Sequence, residues 1–184
     1  MNKKRCSWCE GDPIYEAYHD SEWGVPIKDD PSLFEYLILE GFQAGLSWIT
    51  ILKKRPAFRK AFDNFDCRII AQYKEEKLIA LAQDKGIVRN KLKIKSAVQN
   101  ACAFIKVQEE FGSFSQFYWA HTDGKPIKNK IHKNKDIPPF TVLSRKISGD
   151  LKKRGFNFVG PTIVYAFMQA TGMVNDHITT CFKY

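Results

Sequence analysis

The chain has 184 residues, of which 44% are hydrophobic and 27% charged, with a formal net charge of +9. This length and balance suit one domain, or two small lobes sharing a real core, and exclude a disordered tail. No apolar stretch approaches membrane-spanning length, and Met1-Asn2-Lys3-Lys4-Arg5 runs into Cys6 without a charged-then-apolar leader, so a cytoplasmic protein with no membrane partner is expected.

Taken in chain order, the pattern is helical throughout, with no sustained alternation and no internal repeat, and the expected class is all-α. Pro31-Ser32-Leu33-Phe34-Glu35 reads as a helix start, with Ser32 as cap and Glu35 closing a capping box. That helix is expected to run to about Gln43 and break at Gly45. A second apolar segment, Leu46 to Lys54, should end before Pro56. Short helical patterns follow at Ile69 to Tyr73 and Glu75 to Gln83, the latter with Gly86 as a left-handed stop. From Asn90 to Phe111, Ile94, Val98, Ala101, Cys102 and Ile105 recur at helical spacing before Gly112. Residues 121–139, rich in lysine and carrying Gly124, Pro126, Pro138 and Pro139, suggest a mobile basic loop. Helices resume from Val142 to Arg154 and from Pro161 to Ala170, stopped by Gly155 and Gly172.

Charge is unevenly spread. Residues 1–52 hold nine acidic against four basic side chains, residues 125–154 ten basic against two acidic, and residues 85–106 six basic with no acidic one. Such asymmetry suits a nucleic-acid footprint beside an acidic or neutral pocket, or equally a solvated lysine-rich surface. Leu81 to Lys91 reads as two helices joined by a tight turn at Gly86 and resembles a helix-hairpin-helix. Its backbone N–H groups, with Lys91 and Lys93, would grip a DNA phosphate; an ordinary helix pair has the same local pattern.

Two clusters of chemistry stand out. Cys6 and His19 near one end, and His177 and Cys181 near the other, form a Cys2His2 set suited to tetrahedral zinc, the last two at one-helical-turn spacing. Two buried thiols and two ordinary histidines are the plain alternative, and Cys6-Ser7-Trp8-Cys9 leaves open a redox or ligand pair. The odd total of five cysteines fits a reducing compartment. The aromatic residues Trp8, Tyr15, Tyr18, Trp23, Tyr36 and Trp48 crowd the acidic lobe. Among them Glu40 follows Leu33 and Leu37 at i−7 and i−3, on or beside the apolar face of its helix. Either it reaches water at the edge of that face, or it floors an aromatic cage for a flat, preferably cationic ligand.

Tyr18-His19-Asp20-Ser21-Glu22-Trp23-Gly24-Val25-Pro26, Leu39-Glu40-Gly41-Phe42-Gln43-Ala44-Gly45-Leu46-Ser47-Trp48, Lys152-Lys153-Arg154-Gly155-Phe156-Asn157-Phe158-Val159-Gly160 and Val174-Asn175-Asp176-His177 resemble blocks of the 3-methyladenine DNA glycosylase I family, in order and over nearly the whole chain. The resemblance implies a single helix-hairpin-helix DNA glycosylase domain over residues 1–184, with a base pocket between two helical lobes. It also implies a structural zinc on Cys6, His19, His177 and Cys181, with no ligand role for Cys9. The pocket would contain Tyr18, Glu40 and Trp48, with Trp8, Tyr15 and Trp23 as further walls. The implied reaction is hydrolysis of the N-glycosidic bond of 3-methyladenine in alkylated duplex DNA, with Glu40 acting on the extruded base and Leu46, on the turn at Gly45, filling the vacated stack. No lysine of the 152–154 run is assigned as a nucleophile, so a monofunctional, monomeric enzyme is expected. The competing classes are a zinc-stapled DNA-binding module without catalysis and a redox protein built on Cys6 and Cys9.

Overall fold

The computed structural model describes residues 3–184. Its helices are α1 (Pro13–Ser21), α2 (Asp30–Gln43), α3 (Trp48–Ala61), α4 (Cys67–Ile70), α5 (Glu75–Gln83), α6 (Lys91–Phe111), α7 (Phe114–Trp119), α8 (Val142–Lys153) and α9 (Pro161–Ala170). Among the described residues the only strands are β1 (Ile127–Lys128) and β2 (Val174–Asn175), a two-residue parallel pair, so the all-α expectation holds.

α2 is the axis of the molecule. Leu33, Phe34 and every residue from Tyr36 to Phe42 are buried, so this helix has almost no face left for water. It packs against α3, α6, α7 and α9. Its start differs from the capping box expected at Ser32: the Asp29 carboxylate caps it, accepting from Ser32 N–H at 2.9 Å, because the helix begins three residues earlier, with Asp30-Pro31 in its first turn. Glu35 turns away to pair with Arg55 and Arg59.

Pro56 lies inside α3 rather than ending it. One backbone hydrogen bond is lost there. Buried Phe58 and the anchoring of Arg55 by Glu22 and Glu35 tie the helix on either side of the gap. Gly86 is not left-handed. It sits where space is tight, since a Cβ there would lie 3.0 Å from Ala57 Cβ. Gly172 is the stricter case: its φ is +67° and a Cβ would meet the Val25 carbonyl carbon at 2.3 Å. Asp12 and Pro13 start α1, a helix absent from the expected elements.

The 121–139 segment is not a free loop. Ile127 N–H donates to Met173 O (2.9 Å), Asn129 N–H to Asn175 O (3.0 Å) and Thr179 N–H to Ile131 O (2.8 Å), so it is laced to the chain's last residues. The same lacing keeps 177–181 out of a helix: Ile178 bridges Ile131, and a turn through Thr179 and Thr180 carries the chain to Cys181.

Candidate active site and metal centre

α1 carries two sites on neighbouring faces. Tyr15 and Tyr18, one turn apart, face a cavity, and His19 points behind it. The cavity, about 400 Å³, is lined by Trp8, Tyr15, Tyr18, Trp23, Glu40, Gln43, Trp48, Asn134, Ile137, Ala166 and Gln169. Five of these are aromatic and packed on one another: Trp8 lies edge-on to Tyr15 at 4.8 Å and to Trp23 at 5.0 Å, and Tyr18 is tilted on Trp48 at 5.7 Å between centroids. Behind Trp48 stands Tyr36, roughly parallel at 6.5 Å, whose hydroxyl donates to Glu22 and whose ring carries the Arg55 guanidinium at 5.0 Å. The walls are thus preset rather than assembled by a ligand.

Glu40 is the anomaly in this cavity. It is only 3% exposed, and burial pushes its carboxyl up to about 8. Oε2 has no hydrogen-bond partner, and the same holds for Trp48 Nε1 and Asn134 Oδ1. Of the four buried side-chain polar atoms without a partner among the described residues, three belong to residues lining this one cavity. Unmade hydrogen bonds in an otherwise satisfied interior cost about 1–3 kcal/mol each, which a polar ligand would offset. Asp176 is the contrast. It is fully buried, yet accepts from Asn129 Nδ2 (2.6 Å), Tyr165 OH (2.6 Å) and Gln169 Nε2 (2.7 Å), so both its oxygens are paired. A larger cleft of about 520 Å³ beside Asp30 and Asp63 resembles this second case. Asp30 accepts from Gln108, Phe114 and Ser115, and Asp63 from Tyr73 and Lys77.

Behind Trp8 and Trp23, the ligating atoms of Cys6, His19, His177 and Cys181 lie within 4.8 Å of one another, and all four residues are buried. Cys181 Sγ is 3.4 Å from His19 Nε2 and 3.6 Å from His177 Nδ1, and Cys6 Sγ is 3.7 Å from His177 Nδ1. A tetrahedral ion with ordinary metal–sulfur and metal–nitrogen bonds separates S and N ligands by about 3.6 Å. The outer ring nitrogens are held as metal-bound histidines require: His19 Nδ1 lies 2.9 Å from Asp20 Oδ1 and His177 Nε2 lies 3.1 Å from Trp23 O. Ile178 N–H and Lys183 N–H donate to Cys6 and Cys181 sulfur at 3.5 and 3.4 Å. The donor set therefore fits a metal ion. Cys9 stays outside it, its thiol donating to Cys6 O.

On the surface around the cavity, the Gln43 to Ser47 turn leaves Leu46 40% exposed, with Gly45 at φ +82°. Lys91 is exposed, but two other parts of the expected phosphate grip are not available. Gly86 N–H donates to Asp84 Oδ1 at 2.7 Å and Gly86 O accepts from Lys54, so its backbone is already paired. Lys93 is 6% exposed, its Nζ donating to Phe42 O at 2.8 Å and Ala44 O at 2.6 Å. The N–H groups opening α6 are capped by Asn90 Oδ1. A second tight helix pair, α8 and α9, lacks such a plug: Gly160 begins α9 with no side-chain cap, after the exposed Lys152 and Lys153. Asn134, Ile137, Ala166 and Gln169 reach the cavity from segments that sequence reasoning left out, because nothing local marks them as neighbours of Glu40.

An all-helical protein with a preset aromatic cavity over an unsatisfied buried carboxylate is built to hold a flat heteroaromatic ligand. Residues 8–184 match the methyladenine glycosylase family model. The chain is 46% identical over 181 residues to the DNA-3-methyladenine glycosylase 1 of Escherichia coli K12, covering 98% of this chain and 97% of that one. A crystal structure of a 3-methyladenine DNA glycosylase I superposes with a TM-score of 0.95 at 49% identity, covering 97% of this chain and 98% of the other. Another, a variant in complex with 3-methyladenine, superposes with a TM-score of 0.94 at 36% identity, covering 100% and 97%. The chain belongs to the methyladenine glycosylase family, and is thereby a DNA glycosylase, a hydrolase of N-glycosyl bonds.

Proposed function

We propose that this protein excises 3-methyladenine from alkylated duplex DNA, leaving free base and an abasic site, as a single-domain, monomeric, monofunctional enzyme of the cytoplasm. The observation that carries this reading is the buried, unpartnered Glu40 among aromatic rings. The lesion is cationic in the nucleotide. Its base therefore stacks well on Trp48 and complements a carboxylate, and its glycosidic bond is already weakened. The extruded base enters the cavity, where Tyr18 and Glu40 hydrogen-bond it and Trp8, Tyr15 and Trp23 complete the walls. The bond electrons pass to the departing base and neutralise it. Water adds to the sugar's anomeric carbon and its proton goes to solvent. No lysine is needed as nucleophile, and Lys152 and Lys153 lie exposed on α8. A non-catalytic DNA-binding module would have no use for the unsatisfied carboxylate.

Cys6, His19, His177 and Cys181 would hold a structural zinc. Four protein ligands close its shell, so the ion supplies no activated water, and its role is to lock the two ends of the chain behind the pocket wall.

The DNA face is formed by the Gly45-Leu46 turn, by Lys91 beside the Gly86 turn, and by the α8–α9 turn with its uncapped helix start. Leu46 enters the stack as the base leaves. Binding should be strongly salt-dependent and indifferent to flanking sequence. Lys91→Ala is expected to weaken all duplexes alike and to lower the salt slope by about one. Titrations with damaged and undamaged duplexes at several salt concentrations test this, and affinities unchanged between low and moderate salt would count against the basic face. Release of free base from methylated duplex, followed by chromatography, tests the activity itself.

A further inference from the structure

We propose that Lys93 is a positioning residue for the wedge turn: its buried ammonium clamps the carbonyls of Phe42 and Ala44 and so holds Leu46 ready to enter the base stack. The inference rests on the DNA-facing role given above to Leu46. Its geometry stands apart from that reading.

α2 ends at Gln43 without a glycine stop, since Ala44 is extended in ψ and the left-handed residue comes only at Gly45. The last carbonyls of the helix therefore need a donor from elsewhere. Lys93, from the first turn of α6, provides it with two N–H bonds of 2.8 and 2.6 Å. A cation is also the favoured charge at a helix C-terminus. Two further bonds tie the turn to itself, Leu46 N–H to Gln43 O at 2.6 Å and Gln43 Nε2 to Leu46 O at 3.3 Å. Burying an ammonium is costly, and burial does lower the Lys93 pKa, so the amine stays there only because the carbonyls hold it. The helix end it fixes carries Glu40 one turn back and Gln43 at the cavity rim, so the clamp sets wedge and pocket floor in one register.

The alternative for this lysine, a phosphate contact, makes opposite demands. Lys93→Met keeps most of the volume and removes the ammonium. As a positioning residue, Lys93 can be lost with the salt slope for undamaged duplex unchanged and free 3-methyladenine still quenching Trp48 fluorescence within about twofold of the parent. Single-turnover excision from duplex should fall by about tenfold or more, as expected when an extrusion step loses a preorganised part. The decisive arm is a double-mutant cycle with Leu46→Ala. If Lys93 acts through the turn, Leu46→Ala costs much less in the Lys93→Met background than in the parent. Additive losses, a salt slope lowered by about one, or unchanged excision would each overturn the proposal. Should Lys93→Met fail to fold, Lys93→Gln, which keeps an N–H donor, is read by the same cycle. A parent protein that releases no base from methylated duplex would refute the glycosylase reading instead, an outcome that does not depend on Lys93.

Discussion

Glu40→Gln is expected to slow 3-methyladenine release and at the same time to make the protein more stable at neutral pH. Both effects come from one buried carboxyl with no partner. In the folded protein burial holds it at about 8, against 4.5 for the free group. A raised carboxyl contributes its stability fully below the unfolded value. That contribution is lost as pH rises through the folded value, because the unfolded chain ionises first. Between about pH 5 and 8 this single group should cost about 1.4 kcal/mol per pH unit, and on the order of 3 kcal/mol by pH 7. Glutamine keeps the shape and does not titrate. Urea unfolding of parent and variant at several pH values therefore gives a difference that grows with pH in the variant's favour, while every other titrating group cancels.

Excision should run the other way. A cationic base is complemented by the carboxylate, not the acid, so base capture by the parent rises from pH 6 towards 8 as Glu40 ionises more readily. Glu40→Gln should flatten that rise and lower single-turnover release by about tenfold to a hundredfold, the range for a hydrogen bond to a charged group. Trp48→Ala, which removes a stacking surface worth on the order of 1–3 kcal/mol, should give a comparable loss without the change in pH profile. Both variants should keep metal and bind undamaged duplex normally. If both release base at the parent rate with folding intact, the pocket lies elsewhere.

The sequence revealed this site unevenly, for physical reasons. Local periodicity is enough to place Glu40 on or beside the apolar face of its helix, because Leu37 and Leu33 stand one and two turns before it and α2 ends at Gln43 as its pattern requires. α6 was equally legible, bounded by the Asn90 cap and by Gly112 at φ +83°. Where local and distant forces compete, the reading fails. The spacing of His177 and Cys181 looks helical, but a parallel ladder to residues 127–131 takes the backbone hydrogen bonds there, and such a pairing leaves no mark within five residues of sequence. Lys93 looked like a DNA contact because charge counts cannot say where an amine points. Its partners are 49 and 51 residues away. Asp12-Pro13, by contrast, carries a local helix-start signal, a cap followed by proline at the first helical position.

Removing the metal should have the largest effect on stability. Without a cation, burial pushes the Cys6 thiol up to about 12 and the His177 imidazole down to about 4, so at neutral pH these two groups are uncharged in the interior. A divalent ion reverses this by displacing the thiol protons, and its binding free energy adds directly to folding. The purified protein should carry about one zinc per chain. Cys6→Ala and Cys181→Ala should each lose the metal and several kcal/mol of stability, since the apparent value of a structural zinc in small peptides is about 10–16 kcal/mol and this fold keeps a separate hydrophobic core. Asp20→Asn is the finer probe. Asp20 orients His19 and is itself held by Arg5 at 2.9 and 2.8 Å, so its loss should weaken zinc by about ten- to a hundredfold with stoichiometry restored at saturation. Cys9→Ala should keep the ion. Loss of metal should also slow excision, because Trp23 rests on His177 at 4.6 Å and Trp8 on His19 at 5.5 Å, making the ligand rings the backing of the pocket wall. Elemental analysis decides the assignment: an intact protein without zinc, or full zinc in Cys6→Ala with loss only in Cys9→Ala, would remove the metal from these four residues.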